Sequence, residues 1–199
     1  MSTTTPKSPF DLYKIDLSEA KVKHSKAWYD ERIKLMDPRK VTPAAIAKSG
    51  LKITSKIIPG KLYAFFYLPM TRAELPYYDT FPLAFPFSRN SETFHGLNLH
   101  YLDYQTRFIL FKELLRISGL TNLNETAKIK MTWQLISGVS KMAPAQACVK
   151  QYRFDHLKSQ FMEIEPKDWA TALLLPTARF VGATQQSVWK QSNIIGRGW

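Results

Sequence analysis

The chain has 199 residues, 45% hydrophobic and 13% aromatic, which suits one medium domain with a packed core and excludes a disordered chain. Its formal charge of +12 fits either a polyanionic partner, whether nucleic acid, anionic lipid or an acidic protein face, or a solvated basic surface. The single cysteine, Cys148, rules out an intrachain disulfide and a thiolate zinc cluster and reads as a small buried hydrophobe. No run approaches the roughly 18 apolar residues of a membrane span, and "MSTTTPKSPF" lacks the apolar core of a signal peptide.

Charge is concentrated early. Residues 1–60 hold 12 Lys+Arg against 6 Asp+Glu, a net +6, and the remaining 139 hold 16 against 10, also +6. The first fifteen residues read as an extended arm. A polar helix follows over "DLSEAKVKHSKAWYDERIKLMDP", capped at Asp16 or Ser18 and stopped at Asp37 and Pro38. Its apolar stripe is thin, so it is expected to pack on another element or to lie across a partner. "TPAAIAKSG" is a short second helix, with Thr42 as N-cap, Pro43 in the first turn and Gly50 past the end.

After Gly60 the period changes to two. "KLYAFFYL" predicts a strand with Leu62, Ala64, Phe66 and Leu68 on one face and Tyr63, Phe65 and Tyr67 on the other. "TFPLAFPF" is extended, but Pro82 and Pro86 aim their missing N–H groups to one side, which predicts an edge or rim strand. "ETFHGLNLHYL" is a third strand, with Gly96 marking a bulge or a close approach. Asp103 caps a helix that ends at Gly119, and Asn124 caps a second helix through "NETAKIKMTWQLISGVSK". "SQFMEIE" is a strand, "PKDWATALLLP" a short helix, and "VWKQSNIIGRGW" a tail with no evident element. The order predicts an α+β fold: a small, mostly antiparallel sheet or partly open barrel, jacketed by helices, with N- and C-terminal arms. Residues 1–56 form the basic arm and helices, 57–186 the core domain and 187–199 the tail.

Signatures of catalysis are missing: no GxSxG, P-loop, GxGxxG or HExxH occurs. No catalytic residue, cofactor, small-molecule substrate or membrane partner is expected. His95 and His100 lie five apart, so on a regular strand they face opposite sides. Only a bulge at Gly96 would join them to Asp79 or Asp103 in a metal site, and hydrogen-bonded structural histidines are the expected reading. Asp79, after two tyrosines, reads as a turn cap.

Tyr63, Phe65, Tyr67, Tyr77 and Tyr78 would stack bases if exposed beside cations. Residues 73–102, however, contain one Arg, Arg89, and no Lys, so this aromatic face is expected to be core under the helices. Phosphate contacts, if made, are expected from Lys21, Lys23, Lys26, Arg32, Lys34, Arg39 and Lys40 on the first helix, with Lys128 and Lys130 further on. Protein contacts are expected from Phe10, Tyr13 and Trp28, and from Trp189 and Trp199 in the tail, since aromatic anchors favour interfaces.

"GKLYAFFYLP", "LPYYDTFPLAFPF", "HGLNLHYLDYQTRFILF", "FMEIEPKDWATALLLPTARFVGA" and "VWKQS" together resemble a family of proteins from tailed bacteriophages, chiefly contractile-tailed ones related to T4, over about residues 60 to 192. The resemblance implies a phage setting and carries over no catalytic residue. Two functions fit that setting. The leading expectation is a non-enzymatic virion structural or assembly protein of the tail, baseplate or neck. Its terminal arms would hold it to other virion proteins, and it would reside in the virion after assembly in the host cytoplasm. The alternative is a nucleic-acid-binding protein associated with DNA ends, working through the basic first helix.

Overall fold

The computed structural model describes residues 52–174 and 177–197. The predicted N-terminal helices, with Lys21 to Lys40, Phe10, Tyr13 and Trp28, lie outside the described residues, as does Trp199. Eight strands form in the described part: β1 Lys52–Thr54, β2 Leu62–Ala64, β3 Tyr78–Asp79, β4 Leu83–Arg89, β5 Thr93–Asn98, β6 Val149–Arg153, β7 Phe161–Ile164 and β8 Phe180–Val181. Six of them make one antiparallel sheet in the order β1-β7-β2-β4-β5-β6, while β3 and β8 pair separately. The α+β expectation holds, and the sheet is open rather than a closed barrel.

Among the described residues four α-helices accompany the sheet: α1 Tyr104–Ser118, α2 Glu125–Val139, α3 Trp169–Leu174 and α4 Gln185–Arg197. The first two start where their caps demand. Asp103 accepts the Thr106 N–H at 2.7 Å and Asn124 accepts the Ala127 N–H at 2.8 Å, each satisfying a donor that the first turn leaves free. The helix α1 ends at Gly119, as its sequence predicts.

Alternation along the strands makes two cores. Leu62, Ala64, Leu83, Phe85, Leu97, Met162 and Ile164 share one face with Phe111 and Leu114 of α1, Ile136 of α2 and Trp169 of α3. Tyr63, Phe65, Phe94, Tyr152 and Phe161 occupy the opposite face and pack edge to face or stacked, with ring centroids 5.0–5.8 Å apart. Burying each such ring stabilises the fold by about 1.5–3 kcal/mol. Tyr63, Phe65 and Tyr67 are therefore core, as expected, but in their own cluster on the side of the sheet away from the helices α1 to α3.

The edge-strand expectation for "TFPLAFPF" is corrected. The strand β4 is interior, paired with both β2 and β5. The Pro82 carbonyl accepts from Phe65 N–H at 3.3 Å and the Pro86 carbonyl from Gly60 N–H at 3.0 Å, so both prolines present their N–H-less edge toward β2. Only Leu83 and Ala84, between them, pair with β2. The prolines bracket a short pairing instead of preventing it. The bulge expected at Gly96 falls on the partner strand, between Pro86 and Ser88.

Gly60 takes φ +90, and a Cβ there would lie 2.5 Å from the Ile129 carbonyl oxygen. This glycine lets the turn before β2 touch the backbone of α2. Gly182, at φ +84, does the same against the Pro76 carbonyl, drawing the end of β8 onto the "LPYYD" segment. The tail is also corrected: its described part is the helix α4, packed against the turns Leu99–Tyr101 and Ala143–Cys148.

Candidate nucleic-acid interface

Between the small β3–β8 pair and the main sheet lies a chain of buried polar groups. Asp79 Oδ1 accepts the N–H of Phe81 at 3.0 Å and of Arg179 at 3.3 Å. Its Oδ2 accepts from His100 Nδ1 at 2.6 Å and Asn98 Nδ2 at 3.1 Å. This fixes the histidine tautomer: Nδ1 carries the proton, and Nε2 accepts from the Thr177 hydroxyl at 2.8 Å. Burial pushes the Asp79 carboxyl up, but the His100 ring, the Phe81 N–H and the Asn98 amide outweigh it and hold the group below its ordinary range. Burial also pulls the His100 imidazole below 6.5, against the attraction of Asp79. The ring is thus neutral at pH 7, beside an ionised carboxylate.

Carboxylate, imidazole and hydroxyl follow one another in the order of a nucleophilic triad. The His100 side chain, however, is 0% exposed and that of Asp79 1%, so the ring holds strands together rather than meeting a substrate. The Arg107 guanidinium continues the scaffold. It donates to the carbonyls of Leu102 at 2.8 Å and His100 at 3.1 Å and lies 5.3 Å from the Trp189 ring.

On the solvent side of this scaffold a cavity of about 350 Å³ opens at the β6 edge. Asp79, Asn98 and Tyr152 line it with Tyr67, Tyr77, Tyr78 and Tyr101, and Met70, Thr71 and Leu75 complete the wall. Its cations come from β6. Lys150 and Tyr152 alternate onto the aromatic face of the sheet. Lys150 Nζ sits 4.0 Å from the centroid of the Tyr101 ring. It has no carboxylate partner among the described residues, and burial pulls its ammonium below 10.5. Arg153 stands beside it, held at its guanidinium by Asp155 at 2.7 and 3.0 Å. A cation stripped of water and lacking a counter-charge attracts an anion more strongly than a solvated one.

A second cavity, of about 470 Å³, lies between β7, α2 and α3 and is lined by Lys52, Lys61, Lys128 and Lys167. There each lysine already meets a carboxylate. Lys52 and Lys61 share Glu163 at 3.1 and 2.8 Å, Lys128 meets Glu125 at 3.2 Å and Lys167 meets Glu165 at 2.7 Å. Of the lysines lining the two cavities, Lys150 is the one with no carboxylate partner among the described residues.

Of the expected phosphate contacts, Lys128 is ion-paired and Lys130 is exposed on α2; the others lie outside the described residues. Of the expected protein contacts, Trp189 alone lies within the described residues, and it is half-buried. Its indole N–H donates to the His100 carbonyl at 2.9 Å and its ring packs on Arg107, so it anchors α4 to its own domain. His95 and His100 do not converge. His95 lies 6.3 Å from the Phe87 ring while His100 is buried with Asp79, and among the described residues no cluster of three potential metal ligands occurs. Sequence reasoning missed Lys150 and Arg153. Their signal is the alternation of "VKQYR", which interleaves basic residues with an aromatic one.

Residues 14–194 match the pattern of a protein family described as Phage T4 terminal DNA protecting protein. The chain belongs to that family. No curated protein and no solved structure matches it. The family overturns the expectation of a tail, baseplate or neck component: its description concerns DNA termini. The phage setting stands. Among the described residues no helix is long and apolar enough to cross a membrane.

Proposed function

We propose that this chain binds the ends of phage DNA and shields them from nucleases, itself catalysing no reaction. The observation that carries the reading is Lys150: in a member of the terminal DNA-protecting family, a half-buried ammonium with no carboxylate partner among the described residues faces a tyrosine-lined cavity. Lysine supplies the charge for a phosphate and tyrosine the surface for a base. The net charge of +12, half of it in residues 1–60, adds long-range attraction to the duplex. The site of action is the DNA of the particle and of the host cytoplasm in which it is assembled.

The test is linear duplex DNA treated with a double-strand exonuclease, beside covalently closed circular DNA in a binding titration over a salt series. Protection of linear DNA and preference for it over circles are expected. Lys150→Met is expected to weaken the preference about tenfold to a hundredfold, since a charge-assisted hydrogen bond contributes about 1.5–3 kcal/mol. A version lacking residues 1–40 is expected to bind both DNAs more weakly and with a shallower salt slope. Equal binding to circles and linear DNA, with no protection, overturns the proposal.

A further inference from the structure

We infer that the cavity at the β6 edge receives one terminal nucleotide, its phosphate on Lys150 and its base against Tyr78. The inference rests on the end-binding reading and names what that site recognises. Size is the first argument. At about 350 Å³ the cavity is near the lower bound for small-ligand sites, suited to one nucleotide and too confined for the side of a duplex. The second argument is chemical division within the wall. Lys150 supplies the charge, and the Tyr101 ring beneath it fixes where that charge sits.

The rest of the wall is rich in aromatic rings, with Tyr67, Tyr77, Tyr78 and Tyr152 beside the polar Thr71, Asp79 and Asn98. The rings of Tyr77 and Tyr101 lie 6.1 Å apart and pack on Phe180. Tyr78 is half-buried in β3, and among the described residues no other ring packs on it, which leaves a face for a base. Met70 and Leu75 are 62% and 40% exposed at the rim. Both are held by a turn in which the Glu74 and Leu75 N–H groups donate to the Thr71 carbonyl at 2.9 and 3.2 Å. Exposed apolar residues beside a cation with no carboxylate partner among the described residues match a ligand with one flat apolar part and one anionic part. A nucleotide must leave its stack to enter such a pocket, and unstacking is cheapest where pairing is already weakest. The pocket therefore selects ends by their fraying.

Short duplexes of one sequence, with a 5′-phosphate, a 3′-phosphate, hydroxyl ends or hairpin-capped ends, are titrated by fluorescence anisotropy with full-length protein. Deoxyadenosine monophosphate and deoxyadenosine serve as competitors. One phosphorylated end is expected to bind at least tenfold tighter than the hydroxyl end, which also tells whether the 5′ or the 3′ phosphate is read. The monophosphate is expected to compete better than the nucleoside. Lys150→Met, which keeps the side-chain stem on Tyr101, is expected to abolish the phosphate preference without lowering the melting temperature. Lys150→Arg is expected to retain the preference, and Tyr78→Ala to weaken binding of both kinds of end.

Open ends bound better than hairpin caps, but without phosphate discrimination or with discrimination that survives Lys150→Met, overturn this inference and leave end protection standing. Hairpin-capped and open duplexes bound alike overturn both.

Discussion

Asp79→Ala tests the claim that one buried carboxylate ties the β3–β8 pair to the sheet. The substitution removes the acceptor of four buried donors: the Phe81 and Arg179 N–H groups, His100 Nδ1 and Asn98 Nδ2. Each orphaned donor costs about 1–3 kcal/mol. Relaxation around the smaller side chain recovers part of that, so a loss of about 4 kcal/mol or more is expected, against a total of about 5–15 kcal/mol for a domain. Asp79→Asn keeps the shape and one acceptor oxygen but turns an N–H against a neighbouring donor; about 2–3 kcal/mol is expected. Urea denaturation followed by tyrosine and tryptophan fluorescence gives both values, with the slope m checked for constancy. A loss under about 1 kcal/mol for Asp79→Ala, or an Asp79→Asn protein as stable as the parent, refutes the reasoning.

Acid should destabilise the fold in two steps. The folded pKa values of His100 and Asp79 both lie below their ordinary values of 6.5 and 3.8. The unfolded chain therefore binds more protons in each window, and stability is lost as pH falls below about 6.5 and again below about 4; melting temperatures from pH 7.5 to 3 check this, and a flat profile between pH 7 and 5 contradicts it. Gly60→Ala should cost about 2 kcal/mol or more, because its Cβ would meet the Ile129 carbonyl at 2.5 Å with φ at +90, and an unchanged urea midpoint counts against the close approach. The Cys148 thiol, buried and pushed up to about 12, should react with a disulfide reagent at pH 8 only after unfolding. Fast labelling of the native protein contradicts its burial.

The sequence by itself determined the local elements with strong signals. Asp103 and Asn124 mark helix starts because a short side-chain acceptor meets free N–H groups there. The two-residue period of "KLYAFFYL" separates the leucine and tyrosine faces because side chains alternate across a strand. Membership of a phage family was likewise legible in the wording of residues 60 to 192, and the family's description favours the DNA-end alternative over the tail reading.

Tertiary structure alone decided the rest. Residues 73–102 hold aromatics and almost no cation, which argued against a nucleic-acid site; pairing of β5 with β6 brings Lys150 and Arg153 to the same wall from some fifty residues downstream. Trp189 looked like an exposed anchor because its partners, the His100 carbonyl and Arg107, are more than eighty residues away. Pro86 looked like an edge marker because nothing local shows that β2 ends before reaching it. In each case the deciding contact is distant in sequence, and periodicity, caps and composition report only on neighbours.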